Sequence, residues 1–292
     1  MIALVALAVG GFLAHKRDRY LKTLPRDILE SEYDVKLVQT KPLKFVDAQT
    51  SMKNARVVFG ATVRNVGPYI AKALQNIERC GLMFSEFALV IYENDSVDDT
   101  RDILKSNSKP NYHYIFEDNV KESRRTMRLE RGRNIILDKV KSLDFTHMVL
   151  LDLDDVNDSG KFVDTLATCF AVDGWDMLSA TQTTGYYDLW ALRKKGDVDF
   201  DLAVKLRQQW YNMNRNDQYA NRYKHVYEPG QFLEVDSAFG GAAIYKITPH
   251  LFACSYSGEY SNGWEKCEHV DFNRCLKSKG AQLYINTSFL TS

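Results

Sequence analysis

The 292-residue sequence carries no net charge, with 38 lysines and arginines against 38 aspartates and glutamates. A nucleic-acid partner ordinarily shows itself as a basic excess, so the composition gives none any support. An anionic ligand would have to be met by a local cluster of cations. Cysteine is scarce: Cys80, Cys169, Cys254, Cys267 and Cys275 form an odd set with no C-x-x-C spacing. That pattern suits neither a disulfide framework nor a zinc site, and it leads us to expect reduced thiols packed in a core.

The N-terminus also falls short of the run of about twenty apolar residues that crosses a bilayer. Its apolar stretch covers residues 2–14, about 20 Å as a helix. The basic cluster His15-Lys16-Arg17-Asp18-Arg19 follows it. Residues 1–20 are therefore expected to form a short membrane anchor, with the positive-inside rule keeping the main domain cytoplasmic. A Golgi or ER lumenal domain is the alternative, and a buried or merely adherent helix is the plainest reading. The sequons Asn94-Asp95-Ser96 and Asn157-Asp158-Ser159 fall in loops expected to carry chemistry, which favours a compartment without N-glycosylation.

Hydrophobic residues at 45% and charged residues at 26% match an ordinary globular protein, and single α/β domains reach this length. Residues 21–54 read as a stem or irregular lead-in, and 55–292 as one domain. Short apolar runs of buried-strand character cover 57–63, 87–92, 112–116 and 147–153. Helical periodicity separates them, over 69–80 with Gly81 as the stop, from a capping box at Ser96-Val97-Asp98-Asp99 to Leu104, and from Ser123 to about 140. This alternation predicts an α/β, Rossmann-like fold, a mainly parallel sheet flanked by helices.

Ligands bind beyond the carboxyl ends of strands in such sheets, and three of these strands end in polar clusters. Arg64-Asn65 follows the first. Glu93-Asn94-Asp95-Ser96 ends the second, where a carboxylate could accept from a ribose hydroxyl or a base imide. Asp152-Leu153-Asp154-Asp155 ends the fourth, and strand alternation would aim Asp152 and Asp154 the same way. Clustered carboxylates need a cation between them, and Mg²⁺ or Mn²⁺ would leave positions open for substrate phosphates.

Arg124, Arg128 and Arg131 share one face of the third helix, which reads most simply as solvated. Arg133-Asn134 could instead present a guanidinium fork to phosphate. Near the C-terminus, Gly240-Gly241 precedes an apolar strand. Trp264-Glu265-Lys266-Cys267-Glu268-His269-Val270-Asp271 opens a helix and offers Glu268 or Asp271 as a general base, with His269 as an imidazole ligand.

Together these segments resemble the GT-A nucleotide-sugar transferases, particularly the inverting family-two-like group, over about residues 56 to 290. There is a looser likeness to fungal capsule-type mannosyltransferases. The resemblance rests on Ile91-Tyr92-Glu93-Asn94-Asp95-Ser96, on Arg131-Gly132-Arg133-Asn134 and on Leu151-Asp152-Leu153-Asp154-Asp155. It implies a UDP- or GDP-sugar donor, a glycan or glycoconjugate acceptor taken by the C-terminal region, and Mn²⁺ or Mg²⁺. By the same likeness Asp95 would contact the nucleoside, and Asp152 the ribose or a metal-bound water. Asp154 and His269 would bind the metal, and Glu268 would deprotonate the acceptor. The sequence departs from the family in reading Glu268-His269 where Glu-Asp is usual, and it lacks the Q-x-x-R-W signature of processive synthases, so transfer of one sugar is expected. A nucleotidyltransferase is the competing enzyme class, although no glycine-rich loop follows the first strand. A non-catalytic sugar- or protein-binding domain on the same scaffold is the competing non-enzyme.

Overall fold

The computed structural model describes residues 43–157, 159–194, 227–261 and 263–291. The apolar stretch at 2–14 and most of the expected lead-in lie outside them. The chain enters through β1 (Lys44–Phe45) and α1 (Ala48–Asn54). Asp47 caps that helix by accepting the Thr50 N–H at 2.8 Å. The lead-in is thus ordered from at least residue 43, and Leu43, Met52 and Ala55 join the core.

Strands and helices then alternate as β2 (Arg56–Val63), α2 (Gly67–Gly81), β3 (Glu86–Asn94), α3 (Thr100–Ser106), β4 (Tyr112–Glu117), α4 (Arg125–Lys141) and β5 (His147–Leu151). Next come α5 (Lys161–Thr165), α6 (Ala167–Phe170), β6 (Val172–Asp173) and β7 (Met177–Thr181). The C-terminal part adds β8 (Phe232–Glu234), β9 (Ala242–Lys246), α7 (His269–Ser278) and β10 (Leu283–Leu290). Eight strands form one sheet in the order β4-β3-β2-β5-β9-β7-β10-β8. Six of them share one direction, and only β9 and β8 run against it. The expected α/β architecture, a mainly parallel sheet flanked by helices, is what the strand pairing gives.

Alternation along β2 divides the core. Val57, Phe59 and Ala61 pack with Ile70, Leu74 and Ile77 of α2 on one face. Val58 packs with Ile136, Leu137 and Val140 of α4 on the other, joined by Phe272 and Leu276 of α7. With both faces covered, each strand reads as a continuous apolar run. Gly132 lets α4 press onto the sheet: a Cβ there would lie 2.5 Å from the Tyr92 ring and 2.7 Å from the Thr62 methyl.

The structure corrects several expectations. Ser96 caps no helix: its hydroxyl accepts the Asn65 N–H at 2.9 Å, and α3 begins at Thr100. β5 stops at Leu151, so Asp152 and Asp154 lie in the loop beyond it. Cys254 and Cys275 are joined in a disulfide. Cys80, Cys169 and Cys267 are the buried free thiols, each pushed up to about 12 by burial. The expectation of a membrane-associated protein is also corrected. Among the described residues no helix is long and apolar enough to cross a membrane, and residues 1–20, which carried that expectation, lie outside them.

Candidate functional site

At the carboxyl edge of the sheet the loops after β2 and β3 are sewn together. The Asn65 side chain accepts the Val97 N–H at 2.8 Å, Thr100 accepts the Val66 N–H at 2.8 Å and Asp98 accepts the Gly67 N–H at 2.9 Å. Asn65, Asp95 and Asn119 all take positive φ, at 54°, 50° and 59°, so each of three neighbouring strand ends turns through the left-handed region that Asn and Asp tolerate.

Of the two expected nucleotide contacts on this loop, Glu93 is turned inward. Glu93 is fully buried, with one oxygen accepting the Ser96 N–H at 2.9 Å and the other held by Arg101 at 2.5 Å. Asp95 accepts the Asn119 and Val120 N–H groups at 2.7 and 3.1 Å. Glu93 thus organises the loop from within, while Asp95 stays half-buried at the loop surface. Arg64 stays at the edge, its Nε donating weakly to the Asp95 carbonyl at 3.4 Å.

A cleft of about 450 Å³ opens between these loops and α4. Thr62, Arg64, Asn65, Tyr69 and Asn94 line one side, Arg125, Arg128 and Leu129 another, and Asp152 and Asp154 its floor. Three guanidiniums thus face two carboxylates. Arg128 is steadied by the Glu122 and Ser123 carbonyls at 2.8 and 3.1 Å. Arg131, on the outer face, pairs with Glu117 and Glu122. Arg124 pairs with Glu259 at 2.9 Å.

The Asp152–Asp154 loop is fixed by backbone bonds. Asp152 donates its N–H to the Gly241 carbonyl at 2.9 Å. The buried Asn157 amide bonds both the Asp152 and Gly241 carbonyls, at 2.7 and 2.9 Å. Asp154 accepts the Val156 N–H at 3.2 Å. Burial raises the Asp152 carboxyl to about 6; Arg133 opposes that rise, while Asp154 and Asp188 add to it. Two hard oxygen donors in a cleft rich in arginine fit an ion such as Mg²⁺ or Mn²⁺, which binds through one or two carboxylates together with substrate phosphates.

The third expected ligand is not with them. His269 is buried, stacks on Phe239 at 3.9 Å between centroids, and turns Nε2 to the Arg133 guanidinium. Burial first, and then the Arg133 charge, hold it far below the usual imidazole range. A neutral ring must therefore accept from arginine at Nε2. Among the described residues no three His, Cys, Asp or Glu side chains are grouped to hold a metal.

Arg133 is likewise withdrawn from the cleft. Its guanidinium ion-pairs with the buried Glu268, reaches Asp152 at 3.3 Å and lies over the Phe239 ring at 4.8 Å. The expectation of a phosphate contact at Arg133 is corrected, because carboxylates and a ring already surround the fork. Glu268, expected as a base, is 3% exposed and held in that ion pair. Asp271 pairs with the buried Lys266.

Sequence reasoning missed Asp188. Its carboxylate accepts N–H groups from Gly240 at 3.2 Å and Ala191 at 3.3 Å, which places it beside the glycine turn that also holds Asp152. Burial raises its pKa, against the pull of those bonds and of Arg133 and Arg125. No spacing in Thr184-Gly185-Tyr186-Tyr187-Asp188 signals this; the contact depends on the fold.

The sequence matches no protein-family model and no curated protein. Several solved structures are similar. A mannosyltransferase from Pyrobaculum calidifontis, in complex with GDP-Man and Mn²⁺, is 13% identical at a TM-score of 0.45, covering 98% of this chain and 67% of its own. Glucosyl-3-phosphoglycerate synthase from Mycobacterium tuberculosis, with Mn²⁺, UDP and phosphoglyceric acid, is 11% identical at a TM-score of 0.47, covering 87% and 77%. TarS from S. aureus is 13% identical at 0.42, covering 80% and 58%. None of the three superpositions reaches a TM-score of 0.5, and the functional reading rests on the cleft itself.

Proposed function

We propose that this chain is a divalent-metal-dependent glycosyltransferase that moves one sugar, with inversion, from a nucleoside-diphosphate sugar to a hydroxyl of a glycan or glycoconjugate. The observation that carries the reading is the meeting of Asp152 and Asp154 with Arg64, Arg125 and Arg128 in one cleft. That set suits a diphosphate bridged to a hard cation, at the sheet edge where α/β folds bind nucleotides.

Asp152 and Asp154 would hold Mn²⁺ or Mg²⁺, which when bound offsets the charge that gathers on a departing diphosphate. The arginines at the rim would take the phosphate oxygens, and Asn65, Asn94 and Tyr69 would line the nucleoside side. Arg133 holds Asp152 in place from behind, since its guanidinium joins Asp152 to Glu268. His269 braces the same guanidinium.

A donor screen tests this reading. Nucleoside diphosphate release from a panel of UDP- and GDP-hexoses should require Mn²⁺ or Mg²⁺ and stop with EDTA. A chain that neither binds nor cleaves any of them is not a glycosyltransferase.

A further inference from the structure

A transfer with inversion needs a group to take the proton of the incoming hydroxyl, and the acidic side chains near the cleft are not equally free to do so. Glu268 is 4% exposed at its side chain and paired with Arg133. Asp271 is paired with Lys266. Asp152 and Asp154 belong to the cation.

Asp188 differs from all four in that two backbone N–H groups hold its carboxylate. It is half-buried, and it follows Tyr187, which is 40% exposed. The Tyr187 hydroxyl lies near the glycine turn, 3.4 Å from where a Cβ on Gly241 would stand. A Cβ on Gly241 would also lie 2.4 Å from a Val156 methyl, just past Asp154, so this pair of residues borders the loop that carries the cation carboxylates.

The carboxyl is also held in a fixed orientation. One oxygen accepts from Gly240 and the other from Ala191, and each oxygen keeps a second lone pair. The turn that carries Gly240 also carries Gly241, whose carbonyl receives the Asp152 N–H. One rigid turn therefore sets Asp188 relative to the cation carboxylates.

We propose that Asp188, and not Glu268, is the proton acceptor of the transfer, an assignment that rests on reading the cleft as a sugar-nucleotide site. As the hydroxyl oxygen bonds the anomeric carbon, the bond from that carbon to the diphosphate oxygen breaks and its electron pair leaves with the nucleoside diphosphate. The hydroxyl proton passes to a carboxylate oxygen of Asp188. With water as acceptor the same step is hydrolysis of the donor.

The test uses the full chain with Mn²⁺, UDP-glucose and GDP-mannose. Nucleotide binding is followed by calorimetry and diphosphate release by a coupled assay. In Asp188→Asn, nucleotide binding should stay within about threefold of wild type while release falls about 100-fold or more, the lower end of a general base's contribution. In Asp188→Ala, added formate should restore part of the release, which a merely structural loss would not allow. Unchanged release in Asp188→Asn, or formate rescue of Glu268→Ala in place of Asp188→Ala, would overturn the assignment. Wild-type protein that binds neither nucleotide sugar overturns the reading of the cleft itself.

Discussion

Arg133 and Glu268 form an ion pair in which both side chains are almost wholly buried, at 6% and 4% exposure. Removing one partner leaves the other charged in the core, at a cost of about 3–5 kcal/mol. Arg133→Ala should lose that much in urea unfolding. The double variant with Glu268→Ala should lose clearly less than the sum of the two single losses. Additive losses would mean that the pair does not couple.

The disulfide between Cys254 and Cys275 ties α7, and with it His269, to the preceding loop. It closes a loop of 21 residues, for which chain entropy gives about 3 kcal/mol. Cys275→Ser, or reduction of the wild-type chain, should lower unfolding stability by about that amount. Equal stability in oxidised and reduced protein would count against the bridge.

Much of the fold is legible in the sequence, and the physical reason is burial. Strands covered on both faces become unbroken apolar runs, so β2, β3 and β4 can be read almost to their ends, and Asp152 and Asp154 stand out because they follow such a run. The failures share a cause too. Glu93 looks exposed at a strand end, but Arg101 and the Ser96 backbone claim it. Arg133 and His269 are 136 residues apart, and local spacing does not reveal that the imidazole turns Nε2 to that guanidinium. Nor does it reveal which two of five cysteines approach one another.

His147, at the start of β5, packs against Phe170 and Trp175. Burial, helped by the Lys246 charge, depresses it from 6.5 to about 4. The unfolded chain therefore takes up a proton below about pH 6.5 that the folded chain refuses. The stabilising contribution is complete above that pH and is lost as pH falls towards 4, on the order of 3 kcal/mol in total. Replacing His147 with Gln should flatten this limb of a stability–pH curve. An unchanged slope would show that His147 does not carry it.

Gly240 adopts φ +70°, and a Cβ there would stand 2.2 Å from the Ala180 carbonyl oxygen. Gly230 adopts φ +86° with nothing within 4 Å. Alanine at either position meets left-handed strain of about 1–3 kcal/mol, but only Gly240→Ala adds a backbone collision. Thermal unfolding should therefore fall much further for Gly240→Ala than for Gly230→Ala. Equal losses would contradict the close packing of the turn that sets both Asp152 and Asp188.

The most direct test of the cleft is calorimetric titration of the wild-type chain and of Asp154→Ala with GDP and with UDP, each in Mn²⁺ and in EDTA. The wild type should bind at least one nucleotide, with affinity that depends on the metal. Asp154→Ala should lose that dependence while keeping its melting temperature. Binding that is equally strong in EDTA, or an Asp154→Ala variant that responds to Mn²⁺ as the wild type does, would contradict a metal-bridged sugar-nucleotide site.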